Sequence, residues 1–290
     1  MKLIDGKNIA ETVKREIAAE VKTMLATNQK TPHLAAVLVG EDPASETYVA
    51  AKEHACKAVG FTSSVHKLPE NTTESELLET IKFLNNDENV DGYIVQLPLP
   101  KHIDTNAIIS AIDPQKDVDG FHPENVGRMV MDLPCFVPAT PAGIVTLLER
   151  SNIETEGKNC VVVGRSNIVG TPVSILLSRN SKKANCTVTL CHSRTKNLNE
   201  ICASADILIV AIGKPEFITA DMVKDGAVVI DVGIHRIADN SEKGYRILGD
   251  VKFDEVAPKS SFITPVPGGV GPMTIAALLQ NTFRAAKMRY

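Results

Sequence analysis

Apolar positions change rhythm several times along this chain. From residue 7 to 27 they recur at helical spacing (Ile9, Val13, Ile17, Val21, Leu25), which predicts an amphipathic first helix. Leu34 to Val39 is an unbroken apolar run closed by Gly40, the form of a strand buried on both faces of a parallel sheet. Asp42-Pro43 then opens a helix. The aspartate can cap it, and the proline fits the first helical position, where its missing N–H is not needed. Gly60 ends that helix as its left-handed stop. Phe61 to Leu68 reads as a second strand, Glu74 to Leu84 as a helix capped by Thr73, and Gly92 to Gln96 as a third strand.

Pro134, Pro138 and Pro141 break the pattern over 132–142, and a helix from Ala142 to Arg150 follows. The alternation then resumes with a strand at Cys160 to Val163, a helix from Gly170 to Arg179, and strands at Thr187 to Cys191, Ile207 to Ala211 and Ala227 to Asp231. A last helix covers Ile275 to Lys287. Strand–helix alternation of this kind predicts an α/β fold with parallel sheets and right-handed crossovers. The proline-rich break places the domain boundary near residue 140.

Composition narrows the functional classes. Of 290 residues 43% are hydrophobic, which suffices for a sizeable core. A net charge of −4, few aromatics and no Trp argue against a nucleic-acid surface. No apolar run is long enough to span a membrane, and no apolar leader follows Met1. The six cysteines contain no Cys-x-x-Cys pair, so neither a disulfide framework nor a structural zinc site is expected. A protein of the reducing cytoplasm fits best.

Several stretches carry chemistry. Tyr48 and Lys52, four residues apart, share one face of the second helix, although the same spacing also suits a solvated helix surface. Gln96 ends a strand before Leu97-Pro98-Leu99-Pro100, a stiff segment that can hold a site or simply terminate the sheet. Asp113, Asp117 and Asp119 resemble a calcium loop only in part: Gln115 and Val118 stand where a ligand and the turn glycine belong, so no metal is expected. A carboxylate there could instead grip an amidine-like edge with both oxygens.

The strand ending at Val163 runs into Gly164-Arg165-Ser166-Asn167-Ile168-Val169-Gly170, where helix N-terminal amides can receive a phosphate. This is not the Gly-x-Gly-x-x-Gly fingerprint, and an ordinary strand–helix turn remains open. The next strand ends in His192-Ser193-Arg194 with no acid, so Arg165, Ser193 and Arg194 can surround a 2′-phosphate. Turns at Ile212–Pro215 and Val232–Ile234 are expected beneath a nicotinamide. The loop Thr264 to Thr274 concentrates prolines and glycines, and Val266-Pro267 is a candidate cis bond.

Five stretches together resemble one family. They are Tyr48-x-x-x-Lys52, Val95 to Pro100, Lys116 to Gly120, Gly164-Arg165-Ser166-x-x-Val169-Gly170-x-Pro172, and Pro267 to Thr274. In order and spacing they resemble the bifunctional methylenetetrahydrofolate dehydrogenase/methenyltetrahydrofolate cyclohydrolases, across essentially the whole chain. The resemblance implies an α/β fold in two domains with a cleft between them. One is a folate-binding catalytic domain over 1–140, completed by 272–290; the other is a Rossmann-like NADP-binding domain over 141–271. It implies oxidation of methylenetetrahydrofolate by NADP, hydrolysis of the methenyl product to formyltetrahydrofolate, and a homodimer. Single-activity or NAD-preferring members, or a non-catalytic folate- or nucleotide-binding regulator, are the alternatives.

Carried over residue by residue, Lys52 is the catalytic amine, Gln96 its partner, Tyr48 the stacking ring and Asp119 the pterin ligand. Val95, Leu97, Pro267, Gly268 and Gly269 complete the substrate contacts. Gly164, Arg165, Ser166, Ser193 and Ile234 line the NADP site, to which Arg194 is added for its charge.

Overall fold

The computed structural model describes residues 1–240 and 244–289. In chain order its elements are β1 (Lys2–Leu3), α1 (Gly6–Ala26), β2 (His33–Val39), α2 (Pro43–Val59), β3 (Thr62–Leu68), α3 (Glu74–Asn86), β4 (Gly92–Val95), α4 (Thr105–Ala111), α5 (Pro123–Val130) and α6 (Ala139–Arg150). The second half holds β5 (Asn159–Val163), α7 (Gly170–Ser178), β6 (Thr187–Cys191), α8 (Leu198–Ala203), β7 (Ile207–Val210), β8 (Val228–Asp231), β9 (His235–Ala238), β10 (Tyr245–Leu248), α9 (Phe253–Val256), β11 (Phe262–Ile263) and α10 (Val270–Arg289). The chain divides into two compact units, one of residues 11–139 with 275–290, the other of residues 1–10 with 140–274.

The first unit is built on a parallel sheet of order β3-β2-β4. Its centre is the apolar run Leu34 to Val39, every residue of it buried. On α1 the buried face is Val13, Ile17, Val21 and Met24; Leu25, counted in the helical pattern, is exposed. Thr73 and Glu76 form a reciprocal capping box at the start of α3. Such a cap contributes about 1 kcal/mol, whereas burial of Leu77, Ile81 and Leu84 contributes about 1.5–3 kcal/mol each, so packing decides that this helix forms. The C-terminal part of α10 closes this unit: Asn281 Nδ2 donates to the Val118 and Val137 carbonyls, and Phe283 stacks on Phe61.

The second unit contains a six-stranded parallel sheet of order β1-β11-β8-β7-β5-β6. From β5 the chain moves outward to β6, then returns to β7 on the other side of β5. Crossovers therefore diverge at the carboxyl ends of β5 and β7, where open α/β sheets bind ligands. Strands β1 and β11 are two residues each, too short to show a pattern in sequence. The antiparallel pair β9–β10 is half-exposed and escapes the apolar rhythm; Arg236 covers the Tyr245 ring at 3.7 Å. The final helix begins at Val270, ahead of the expected Ile275, because a proline in the first turn needs no intrahelical N–H partner. All six cysteines are free thiols.

Candidate active site

Lys52 sits where the sequence put it, on α2, whose Asp42 side chain caps the Ser45 N–H at 2.8 Å and whose Gly60 stop has φ 85°. Gln96 follows β4 and continues its ladder by donating its N–H to the Val37 carbonyl. The two meet: Lys52 Nζ donates to Gln96 Oε1 at 2.9 Å. The Gln96 amide is oriented by its own second bond, Nε2 to the Leu97 carbonyl at 2.8 Å. Lys52 thus has a neutral hydrogen-bond acceptor rather than a carboxylate. Burial holds its amine below the usual lysine range, with the negative charge of Asp119 acting the other way.

Asp119 is the complementary anomaly. Among the described residues its carboxylate receives no hydrogen bond, and burial pushes its pKa up to about 6, with Lys52 opposing the rise and Asp117 adding to it. Asp119, without a hydrogen bond among the described residues, and the depressed amine of Lys52 interact by charge, the kind of perturbed pair that clusters at functional sites. Tyr48 lies one helical turn before Lys52 with 42% of its surface exposed, available as a stacking face. Leu97 is half-buried before a cis bond to Pro98. Val95 differs from expectation in that its side chain lies in the core beside Val37, Tyr93 and Ile103.

The segment that carries Asp119 is held by its neighbours. Lys116 is buried, and its Nζ donates to the Leu84 and Asp87 carbonyls at the end of α3. Val118 packs so closely over β4 that a Cβ on Gly92 would stand 2.2 Å from it. The buried Asp117 accepts from the Gly120, Phe121 and His122 amides and from Asn125 Nδ2. Two aspartates separated by Val118 therefore differ: Asp117 shapes the turn, whereas Asp119 takes no hydrogen bond among the described residues. Asp117→Ala should destabilise the protein by about 2–4 kcal/mol by leaving those donors unsatisfied, read from urea unfolding. An unchanged midpoint would remove Asp117 from this role.

The second unit holds a pocket of about 300 Å³ at the diverging ends of β5 and β7. Gly164, Arg165 and Ser166 line it, with Ser193 after β6 and Ile212, Lys214 and Phe217 after β7. Gly164 has φ 119°, and a Cβ there would meet the Ala211 carbonyl oxygen at 2.1 Å, so the two loops can approach only over a glycine. The anion site differs from the sequence expectation in one respect. Ser166 Oγ already accepts from the Val169 and Gly170 amides at the start of α7. An anion would meet the loop and the exposed Arg165 side chain instead of the helix end. A guanidinium and two hydroxyls beside apolar Ile212 and Phe217 suit a phosphorylated aromatic ligand.

Arg194 and Ile234 are exposed and outside the residues lining this pocket. Pro267, Gly268 and Gly269 also belong to the second unit. There the Gly268 carbonyl accepts from Lys7 N, and the Gly269 carbonyl presses on Gly6 so closely that a Cβ would stand 1.9 Å away. Val266–Pro267 is cis.

Comparison with known proteins decides what this arrangement belongs to. Residues 4–119 match the tetrahydrofolate dehydrogenase/cyclohydrolase catalytic domain, and residues 138–290 match the NAD(P)-binding domain of the same family. The chain belongs to the tetrahydrofolate dehydrogenase/cyclohydrolase family. It is 62% identical over 290 residues to the bifunctional protein FolD of Cytophaga hutchinsonii, covering 100% of both chains. The crystal structure of FolD from Campylobacter jejuni superposes with a TM-score of 0.94 at 47% identity, covering 100% of each chain. The Trypanosoma brucei FolD, solved with NADP cofactor and an inhibitor, superposes with a TM-score of 0.93 at 38% identity, covering 99% of this chain and 97% of that one.

In family terms, Lys52, Gln96 and Asp119 lie in the catalytic domain and the Arg165 pocket lies in the NAD(P)-binding domain. The chain is accordingly a dehydrogenase/cyclohydrolase acting on tetrahydrofolates. Sequence reasoning missed Phe217 and the buried Asp250 behind the pocket wall. Neither sits in a motif, because what unites them is the return of a distant segment to the end of β7. Among the described residues no cluster of side chains could hold a metal ion, and no helix is long and apolar enough to cross a membrane.

Proposed function

We propose that this chain oxidises 5,10-methylenetetrahydrofolate to 5,10-methenyltetrahydrofolate with NADP and hydrolyses that product to 10-formyltetrahydrofolate, with Lys52 moving the protons of the second step. The observation that carries the reading is the Lys52–Gln96 pair at 2.9 Å, with Asp119 close enough to act on Lys52 by charge and without a hydrogen bond among the described residues. When bound, NADP supplies the hydride acceptor. Loss of hydride from a carbon between two nitrogens leaves a stabilised cation and releases no proton, so that step asks the protein mainly for alignment. Hydrolysis is different. Water must lose a proton as it attacks, and a nitrogen must gain one as its C–N bond breaks.

An amine held below its usual pKa can be neutral for the first of these and cationic for the second. Gln96 accepts from Lys52 without adding the negative charge that would return its pKa upward. Asp119 presents two acceptor oxygens to the amino-amide edge of a pterin, and Tyr48 offers its ring as a stacking platform. Leu97, Pro267, Gly268 and Gly269 are proposed as further substrate contacts, with Val95 supporting from the core.

For the nucleotide, Arg165, Ser166 and Ser193 would receive the 2′-phosphate over Gly164, with Arg194 and Ile234 at the margins. Arg165→Ala should raise the KM for NADP by the loss of a charged hydrogen bond, about 1.5–3 kcal/mol, and leave NAD kinetics nearly unchanged. Equal losses with both nucleotides would count against the assignment. The five buried thiols fit a cytoplasmic location. A homodimer is proposed, and the outer edge of β6, with Leu190 exposed, offers unpaired strand groups for it; molar mass in solution tests this. The reading as a whole is tested by assaying the purified protein with methylenetetrahydrofolate and each nucleotide in turn. NADP reduction is the expected result, and no reduction of either nucleotide would overturn it.

A further inference from the structure

Two carboxylates lie buried side by side beneath the pocket of the NAD(P)-binding domain, and neither is explained by the chemistry above. Asp231 ends β8, is 4% exposed, and accepts from the Gly233, Asp250 and Val251 amides, each at 2.9 Å. It thereby fixes the segment 250–251, which follows β10. Asp250 is fully buried and points the other way. Its Oδ2 accepts from the Ile212 amide at 2.7 Å and the Gly213 amide at 3.0 Å, and its Oδ1 accepts from the Lys214 amide at 2.9 Å. The main chain of the same segment holds the next stretch of wall: Glu216 N donates to the Gly249 carbonyl and Ile218 N to the Asp250 carbonyl.

His235, at the start of β9, donates from Nε2 to Asp250 Oδ1 at 2.7 Å and, among the described residues, is the one side chain that bonds this carboxylate. The close approach is built into the sequence. A Cβ on Gly249 would stand 1.8 Å from Asp231 Oδ2, and one on Gly233 would stand 2.4 Å from the Asp250 amide nitrogen. Crowding two carboxylates in this way is costly: burial first, and Asp250 in addition, push the Asp231 pKa up to about 6. A turn of three residues can be closed far more cheaply by a serine or asparagine. What this arrangement adds is a set of bonds along the backbone of 212–218, the segment whose Ile212, Lys214 and Phe217 line one wall of the pocket.

We infer that Asp250, oriented by His235 and seated by Asp231, is a positioning residue for the nucleotide: it fixes the 212–218 wall in the shape that NADP requires. The inference rests on the assignment of this pocket to NADP. Its signature is selective. Only the dehydrogenase reaction uses the nucleotide, so disturbing Asp250 should raise the KM for NADP roughly tenfold or more while hydrolysis of added methenyltetrahydrofolate, assayed without nucleotide, continues at the wild-type rate.

The test compares Asp250→Asn, His235→Phe and His235→Gln with the wild-type protein in both assays. Asp250→Asn keeps one carbonyl oxygen for two of the amides but sets an N–H against the third. His235→Phe removes the donor to Oδ1, whereas His235→Gln retains one. The expected result is a raised NADP KM in Asp250→Asn and His235→Phe, restoration toward wild type in His235→Gln, and intact cyclohydrolase activity in all three. An unchanged NADP KM in the folded variants, or parallel loss of both activities, would overturn the inference. If Asp250→Asn does not fold, the two His235 variants decide it by the same criterion. A wild-type protein that reduces no nucleotide would instead mark failure of the pocket assignment itself.

Discussion

Lys52→Gln should lower cyclohydrolase activity by roughly 10²–10⁴, the usual contribution of a positioned general acid–base, while dehydrogenase turnover survives at a sizeable fraction of wild type. Glutamine is one atom shorter than lysine but keeps an N–H donor that can be directed at Gln96. It cannot exchange a proton. The methenyl intermediate should then accumulate under turnover, seen as near-ultraviolet absorbance after subtraction of its hydrolysis by buffer. Equal loss of both activities would make Lys52 a positioning group for the folate, and loss of neither would leave α2 without a chemical role.

Asp119→Asn should do two things that a structural aspartate would not do together. Folate binding and both activities should fall, because an amide presents a donor where the pterin edge needs an acceptor. Stability should rise at neutral pH. The ordinary aspartate pKa is 3.8 and here it is about 6, so above pH 6 the folded protein carries a charge that it would rather not hold. The sign follows directly: a raised carboxylate pKa lowers folding stability as pH climbs through the window from 3.8 to 6. Removing the charge should gain about 1–3 kcal/mol above that window, toward the lower end because Lys52 then loses its opposite charge. Most of the gain should be lost by about pH 4 and the rest below the ordinary aspartate pKa of 3.8, where the carboxyl is neutral in both states. Urea midpoints at pH 8 and pH 4, set beside a folate titration, read both effects. A destabilised variant that still binds folate would refute the assignment.

The contrast with Asp117, whose removal should destabilise, shows how far sequence carries. Both aspartates stand out in one stretch, yet only the fold shows that Asp117 satisfies its own turn and that Asp119, among the described residues, takes no hydrogen bond. The strands and long helices were legible because burial imposes a rhythm over many residues, as in Leu34–Val39 and in Val13, Ile17 and Val21. Elements without such a face were not legible: β1 and β11 are too short, and β9–β10 is half-exposed. The Lys52–Gln96 contact spans 44 residues and became legible only through resemblance. The Asp231–Asp250 seat had no motif at all. Its only trace in sequence is a pair of glycines, Gly233 and Gly249, whose purpose appears once the segments lie together.

The most direct test of the account is the product balance of one reaction. The wild-type protein is incubated with methylenetetrahydrofolate and NADP, and the NADPH, methenyl and formyl products are each quantified over the time course. Two activities on one chain predict NADPH and 10-formyltetrahydrofolate rising in equal amounts with little free methenyl product. NADPH matched by methenyltetrahydrofolate, with formyl product forming no faster than in buffer, would contradict it.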